Sequence, residues 1–108
     1  MLRRLAAALV ILIASSLVVW ADDLTNATVT ALFGLPLRDS PPGNFFQGKG
    51  AEVGAVNPGE QFHVVQQVTV STLAGSEDWI QVQSADGSRV GWVFSGPSGV
   101  ASANFSRL

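Results

Sequence analysis

The clearest pattern in the chain is an alternation of apolar and polar residues that begins at Gln61. One side of this segment carries Phe62, Val64, Gln66, Val68 and Val70. A period of two residues is typical of a β-strand with one buried face. We therefore predict a long strand from residue 61 to about residue 73, with the side that carries Phe62 turned toward the core.

Shorter alternating segments precede and follow this strand. The other predicted strands cover residues 28–32, 35–38, 53–56, 79–83 and 89–95, and residues 104–108 could close the sheet as a last short strand. Pro36 has no N–H for a β-ladder, so its strand is expected at a sheet edge or at a loop entrance. Residues 39–52, with two Pro and three Gly, predict a long loop, and residues 73–78 predict a break in the pattern.

Two short motifs predict the turns between these strands. The segment Asn57-Pro58-Gly59-Glu60 predicts a tight turn, because proline fixes its own φ and glycine accepts a positive φ. Asp86-Gly87 predicts a type I′ hairpin. No segment after residue 21 shows helical spacing over 11 residues. The sequence therefore predicts an all-β domain, a small barrel of five or six strands.

Residues 1–21 have the order of a signal peptide. Arg3 and Arg4 precede an uncharged run over residues 5–20, and the small residue Ala21 follows. The run is long for a signal peptide and short for a membrane-spanning helix, so it predicts either a cleaved signal helix or a retained inner-membrane anchor. Both interpretations place one domain, residues 22–108, outside the cytoplasm, in the periplasm or secreted.

Composition excludes several kinds of chemistry. The chain has no Cys and a formal net charge of −2, which becomes more negative without Arg3 and Arg4. We therefore expect no disulfide, no thiolate nucleophile and no nucleic-acid partner. His63 is the only imidazole, so no metal site and no cofactor are expected. Adjacent carboxylates such as Glu77 and Asp78 point to opposite faces of a strand, so we expect no enzymatic activity.

Four motifs, in order, resemble those of a bacterial Src-homology-3 (SH3b) domain over nearly all of residues 27–108. They are Leu35-Pro36-Leu37-Arg38-Asp39-Ser40-Pro41, Val53-Gly54-Ala55-Val56-Asn57-Pro58-Gly59-Glu60, Trp79-Ile80-Gln81-Val82 and Asp86-Gly87-Ser88-Arg89-Val90-Gly91-Trp92-Val93. They are similar to the family's L-N-V-R-x-x-P segment, its K-G-E turn, its W-x-x-V strand and its D-G-x-x-G-W-V hairpin. Pro36 replaces the usual Asn of the first motif.

The resemblance implies a five-stranded, partly open barrel that binds peptides, cell-wall fragments or protein partners without catalysis. It places Trp79 and Trp92 beside a groove, with Asp39, Glu77 and Asp78 available to orient a cationic or amide group. The alternative for both tryptophans is that they cap the barrel core. The chain has no Tyr, so the tyrosine-lined groove of eukaryotic relatives is missing.

Phe45 and Phe46 stand out because they lie in the long, polar loop. They are expected either to form an exposed contact patch or to fold back and plug one end of the barrel. Two functions are therefore considered. The first is a binding module for peptides or cell-wall (peptidoglycan) fragments in the bacterial envelope. The second is an accessory subunit that docks on another envelope protein through Phe45 and Phe46.

Overall fold

The computed structural model describes residues 23–43, 48–73 and 75–108. Seven antiparallel strands form one curled sheet in the order β3-β2-β6-β5-β4-β1-β7. The strands are β1 (Thr28–Ala31), β2 (Leu35–Arg38), β3 (Glu52–Val56), β4 (Gln61–Thr72), β5 (Gly75–Ser84), β6 (Val90–Pro97) and β7 (Phe105–Arg107). A 3₁₀ turn, Ala101–Ala103, precedes β7. The predicted signal helix lies outside the described residues, as do Phe45 and Phe46.

The all-β prediction is confirmed, with seven strands instead of five or six. The sheet is open, because its edge strands β3 and β7 do not pair with each other. It therefore forms a half-barrel. The centre is built by β4 and β5, of 12 and 10 residues. Across the part of the chain that the structure describes, no helix has the length and apolar character needed to cross a bilayer.

The core lies against one face of the curled sheet. Its buried residues are Leu24, Val29, Ala31, Leu37, Val56, Phe62, Val64, Ile80, Val82, Val93, Ala101 and Phe105. Ile80 and Val93 pair across β5 and β6, so their side chains point to the same face. The residues that alternate with them, including Trp79 and Phe94, point to the opposite face.

A β-bulge in β4 corrects the prediction for the long strand. The register with β5 shifts between Val64 and Gln66, which leaves Val65 without a direct partner. Beyond the bulge the faces are exchanged, so Gln67 lies opposite the core residue Ile80. The prediction that the side with Phe62 faces the core is therefore correct for Phe62 and Val64. It is wrong after the bulge, where Val68 and Val70 lie on the opposite face, although Val70 is buried there. Gln67 accepts a hydrogen bond from the Leu24 amide at 2.9 Å.

Two turns differ from the sequence prediction. Residues 73–78 were expected to be a break, but β5 begins at Gly75 and pairs with Thr72, which closes a tight hairpin. The second difference is at Asp86-Gly87. A type I′ turn needs positive φ at both central residues. Gly87 has φ +75°, while Asn26 is the only non-glycine residue with positive φ among those described. The predicted hairpin is confirmed, because β5 pairs with β6 up to Gln83 and Val90, but its turn is not of type I′.

The two remaining local predictions concern the turn at residues 57–60 and the position of Pro36. The tight turn at residues 57–60 is confirmed, because Gly59 has φ +87° and the Glu60 amide donates to the Asn57 carbonyl at 3.1 Å. The sequence predicts Pro36 at a sheet edge or a loop entrance. The strand β2 lies between β3 and β6, so it is not an edge strand. Pro36 itself pairs with β3 alone, opposite Ala55, because the pairing of β2 with β6 is confined to Arg38 and Trp92, so no ladder donor is needed from proline on that side.

The first and last strands are neighbours in the sheet. β1 pairs with β7 through Val29 and Arg107, and the Leu108 amide donates to the Thr28 carbonyl at 2.9 Å. Phe105, at the start of β7, is fully buried in the core. The last strand predicted from the sequence is therefore an integral part of the sheet.

Candidate functional site

Two aromatic residues form the centre of the sheet face opposite the core. Trp79 of β5 is the cross-strand partner of Phe94 of β6. Their ring centroids are 5.8 Å apart and the rings are tilted by 60°. Trp79 is 2% exposed, so this face also buries a large apolar surface. The indole Nε1 donates to the Glu77 carboxylate at 3.0 Å, which fixes the orientation of both side chains.

A pocket of about 270 Å³ opens beside this aromatic pair. It is lined by Leu35, Pro36, Arg38, Lys49, Glu77, Trp79 and Phe94. Four of these residues are apolar and three carry a charge. The lining comes from β2, β5, β6 and the loop that precedes β3, so the pocket exists only once these segments are assembled.

The three charged residues of the pocket differ in their hydrogen-bond partners. Arg38 donates from Nη1 to the Gly50 carbonyl at 3.1 Å, so its guanidinium contacts the backbone of the residue that follows Lys49. Lys49 is exposed. Among the described residues, the one ion pair joins Arg89 and Glu60. Neither Arg38 nor Lys49 therefore forms an ion pair with a described carboxylate. Glu77, by contrast, already accepts the indole N–H. The pocket therefore has two cations against one engaged anion.

Two carboxylates predicted from the resemblance lie elsewhere. Asp39 is exposed and accepts the Ala51 amide at 2.9 Å, so it ties the ends of the long loop together. Asp78 is 2% exposed and accepts the Thr69 hydroxyl at 2.7 Å and the Gly99 amide at 3.0 Å. Neither residue lines the pocket. Their hydrogen bonds serve the fold.

The two tryptophans have different positions. Trp79 lines the pocket and is buried, but on the sheet face opposite the core, so it does not cap the core. Trp92 is half-buried, lies opposite Gln81 in the sheet and does not line the pocket. Of the residues predicted from sequence, the structure therefore brings Glu77 and Trp79 together in the pocket.

Sequence reasoning missed five residues of the pocket. They are Leu35, Pro36, Arg38, Lys49 and Phe94. The first three belong to a motif that was recognised, but only the pairing of β2 with β6 shows that this motif faces β5. The alternation along β6 places Phe94 on the same face as Trp92, so Phe94 could have been predicted to lie near the groove from the sequence. Nothing in the sequence distinguished Lys49 from other loop residues.

A second, wider depression of about 370 Å³ holds charges that satisfy one another. Arg89 and Glu60 form an ion pair at 2.5 Å, and the Arg89 side chain holds the pKa of Glu60 below its usual value. The Ser88 backbone N–H, helped by the Ser88 and Ser84 hydroxyls, lowers the pKa of Asp86 to about 2. These contacts stabilise the hairpin and the neighbouring turn, so this depression needs no ligand to neutralise it.

His63 is exposed and lines a small cavity of about 140 Å³ with Thr28, Gln61, Phe62 and Ala85. No group of three His, Cys, Asp or Glu residues that could hold a metal occurs within residues 23–43, 48–73 and 75–108.

No family model, curated protein or solved structure matches this chain. Its function is therefore inferred from the pocket and from its residues.

Proposed function

We propose that the chain is an exported, non-catalytic SH3b-type binding module of the bacterial envelope, and that the pocket beside Trp79 and Phe94 holds a peptide or a cell-wall fragment. The observation that supports this most directly is the combination of an apolar aromatic wall with charged groups that have no ion-pair partner among the described residues. Binding sites commonly have this composition, with apolar walls and a few polar groups that fix orientation.

The half-buried Phe94 would supply much of the apolar contact, since aromatic rings bury large apolar areas. Trp79 is 2% exposed and supports Phe94 from within the fold, and its own indole nitrogen donates to the Glu77 carboxylate. A ligand that contacts Phe94 therefore meets a rigid surface, and little side-chain entropy is lost on binding.

The arrangement of the carboxylates supports binding without catalysis. Hydrolysis of a glycosidic bond commonly uses two carboxyl groups that face one substrate. Glu77 faces the pocket and is engaged by Trp79, while Asp78 is buried by Thr69 and Gly99 on the opposite face. Adjacent positions on one strand thus separate the two carboxylates.

The test is retention on insoluble cell-wall sacculi. The purified full chain is mixed with sacculi, and the fraction that sediments is measured. Pro36→Trp places a large side chain at an exposed residue of the pocket, and Val90→Trp places the same side chain at an exposed residue outside it. We expect the wild type and Val90→Trp to be retained, and Pro36→Trp to bind about tenfold more weakly, which corresponds to about 1.4 kcal/mol.

Two results would contradict the proposal. The first is a wild-type chain that stays in the supernatant and also binds no short peptide when binding is followed by NMR. The second is equal retention of Pro36→Trp and the wild type, which would place any wall contact away from the pocket.

A further inference from the structure

We infer that the pocket recognises the free carboxylate at the end of a peptide, with the adjoining apolar residue packed against Leu35 and Phe94. This inference rests on the proposed binding function and adds the chemical class of the ligand. It reverses the sign of the charge that the resemblance implied, because the pocket contains Arg38 and Lys49 and lacks Asp39 and Asp78.

Arg38 is placed to bind an anion. A guanidinium has five N–H donors, and its planar shape matches the two oxygens of a carboxylate. The bond from Nη1 to the Gly50 carbonyl uses one side of the group and holds it in a fixed position. Because Arg38 has no carboxylate partner among the described residues, its remaining donors would be satisfied by a ligand oxygen or by water.

Lys49 adds a second positive charge on the same pocket. It is exposed, so its ammonium group can follow a ligand without loss of packing. Glu77 offsets one of the two charges, but it accepts the Trp79 indole N–H. The pocket therefore retains an excess of one positive charge, which would favour an anionic group and disfavour an ammonium group.

The size of the pocket favours a chain end over an internal segment. Its volume of about 270 Å³ is just below the range of roughly 300–1,000 Å³ that is typical of small-molecule sites. Such a space admits a few residues at most. The apolar wall formed by Leu35, Pro36 and Phe94 then contacts the side chain next to the carboxylate.

The test compares two ligands that differ only in charge. N-acetyl-leucyl-alanine, which has a free carboxylate, and its C-terminal amide are titrated into the full chain, and the indole N–H signal of Trp79 is followed by NMR. We expect the free acid to bind about tenfold more tightly, since hydrogen bonds to charged groups exceed those between neutral groups. Sodium acetate, which lacks the apolar part, is expected to bind much more weakly than the peptide acid.

Three variants locate the effect. Lys49→Gln and Arg38→Gln are expected to reduce the preference for the acid severalfold. Arg107→Gln removes one positive charge from β7, outside the pocket, and is expected to keep the preference. Lys49 is exposed, so Lys49→Gln should not disturb the fold. It therefore tests the role of positive charge even if Arg38→Gln perturbs the loop that contains Gly50.

The outcomes separate the two proposals. Equal binding of the acid and the amide, lost in Pro36→Trp, would overturn the carboxylate inference and leave the binding function intact. Retention on sacculi without binding of either peptide would do the same. An acid preference that survives both Lys49→Gln and Arg38→Gln would overturn the assignment of the cations. Absence of both peptide binding and retention would overturn the proposed function as well.

Discussion

Replacement of Gly91 by alanine tests how closely β2 and β6 are packed. Gly91 is buried in β6, and a Cβ atom built on it would lie 2.6 Å from Leu37 Cγ and 2.9 Å from the Arg38 carbonyl oxygen. Neither neighbour is the free end of a flexible side chain. Alanine can therefore be accommodated only if β2 and β6 move apart, which would also disturb the pocket that both strands line.

The loss of folding free energy expected for Gly91→Ala follows from the packing around Gly91. Insertion of one methyl group into a well-packed core typically costs about 1–3 kcal/mol, and the two close contacts of Gly91 place this site at about 2–3 kcal/mol. For a domain of this size that corresponds to a fall in melting temperature of roughly 10–20 °C. Urea unfolding of the full chain, followed by tryptophan fluorescence, measures the change in free energy.

Gly54→Ala is the matched control. Gly54 lies in β3 next to the same leucine, but a Cβ atom added to it would be 3.8 Å from Leu37 Cδ2, an ordinary contact distance. Alanine also restricts the unfolded chain, so this variant should be neutral or stabilised by up to about 1 kcal/mol. In a Leu37→Ala background the cost of Gly91→Ala should fall by about 1 kcal/mol or more. Equal stability of Gly91→Ala and Gly54→Ala would refute the reasoning.

Two further predictions concern stability. Trp79→Ala should lower the free energy of unfolding by about 3–5 kcal/mol, because Trp79 is 2% exposed. Trp92→Ala should lower it less, because Trp92 is half-buried. Equal melting temperatures of the two variants would contradict this prediction. The pKa of Asp86 is about 2 in the folded chain, below its ordinary value of 3.8, so its contribution to stability is present above pH 3.8 and is lost as the pH falls toward 2. Urea unfolding at each pH should therefore show a smaller loss of stability across this window for Asp86→Asn, and an unchanged loss would count against the hydrogen bonds from Ser88.

The features that sequence predicted well are those set by neighbours in the chain. The bounds of β2 match the prediction, since its apolar and polar residues alternate between clear breaks. The turn at residues 57–60 also matches, because Pro58 and Gly59 fix its backbone angles locally. For the same reason the all-β class was predictable from the spacing of turns and short apolar segments.

The features that sequence missed depend on strand pairing. The bulge at Val65 is defined by the register between β4 and β5, and no local signal marks it. Asp78 is buried, and its carboxylate is satisfied in part by the amide of Gly99, which lies far along the chain. The pocket has the same origin, since Arg38 and Phe94 share it only through the position of β2 beside β6.

The pairing of β1 with β7 has a consequence for when the sheet can form. Val29 is among the first described residues to leave the ribosome, but its partner Arg107 is synthesised only after all the other strands. Contacts between distant positions form slowly because the intervening chain must be ordered first. Phe105 enters the core only at that step. The early strands therefore remain without a complete core until the last strand has been synthesised.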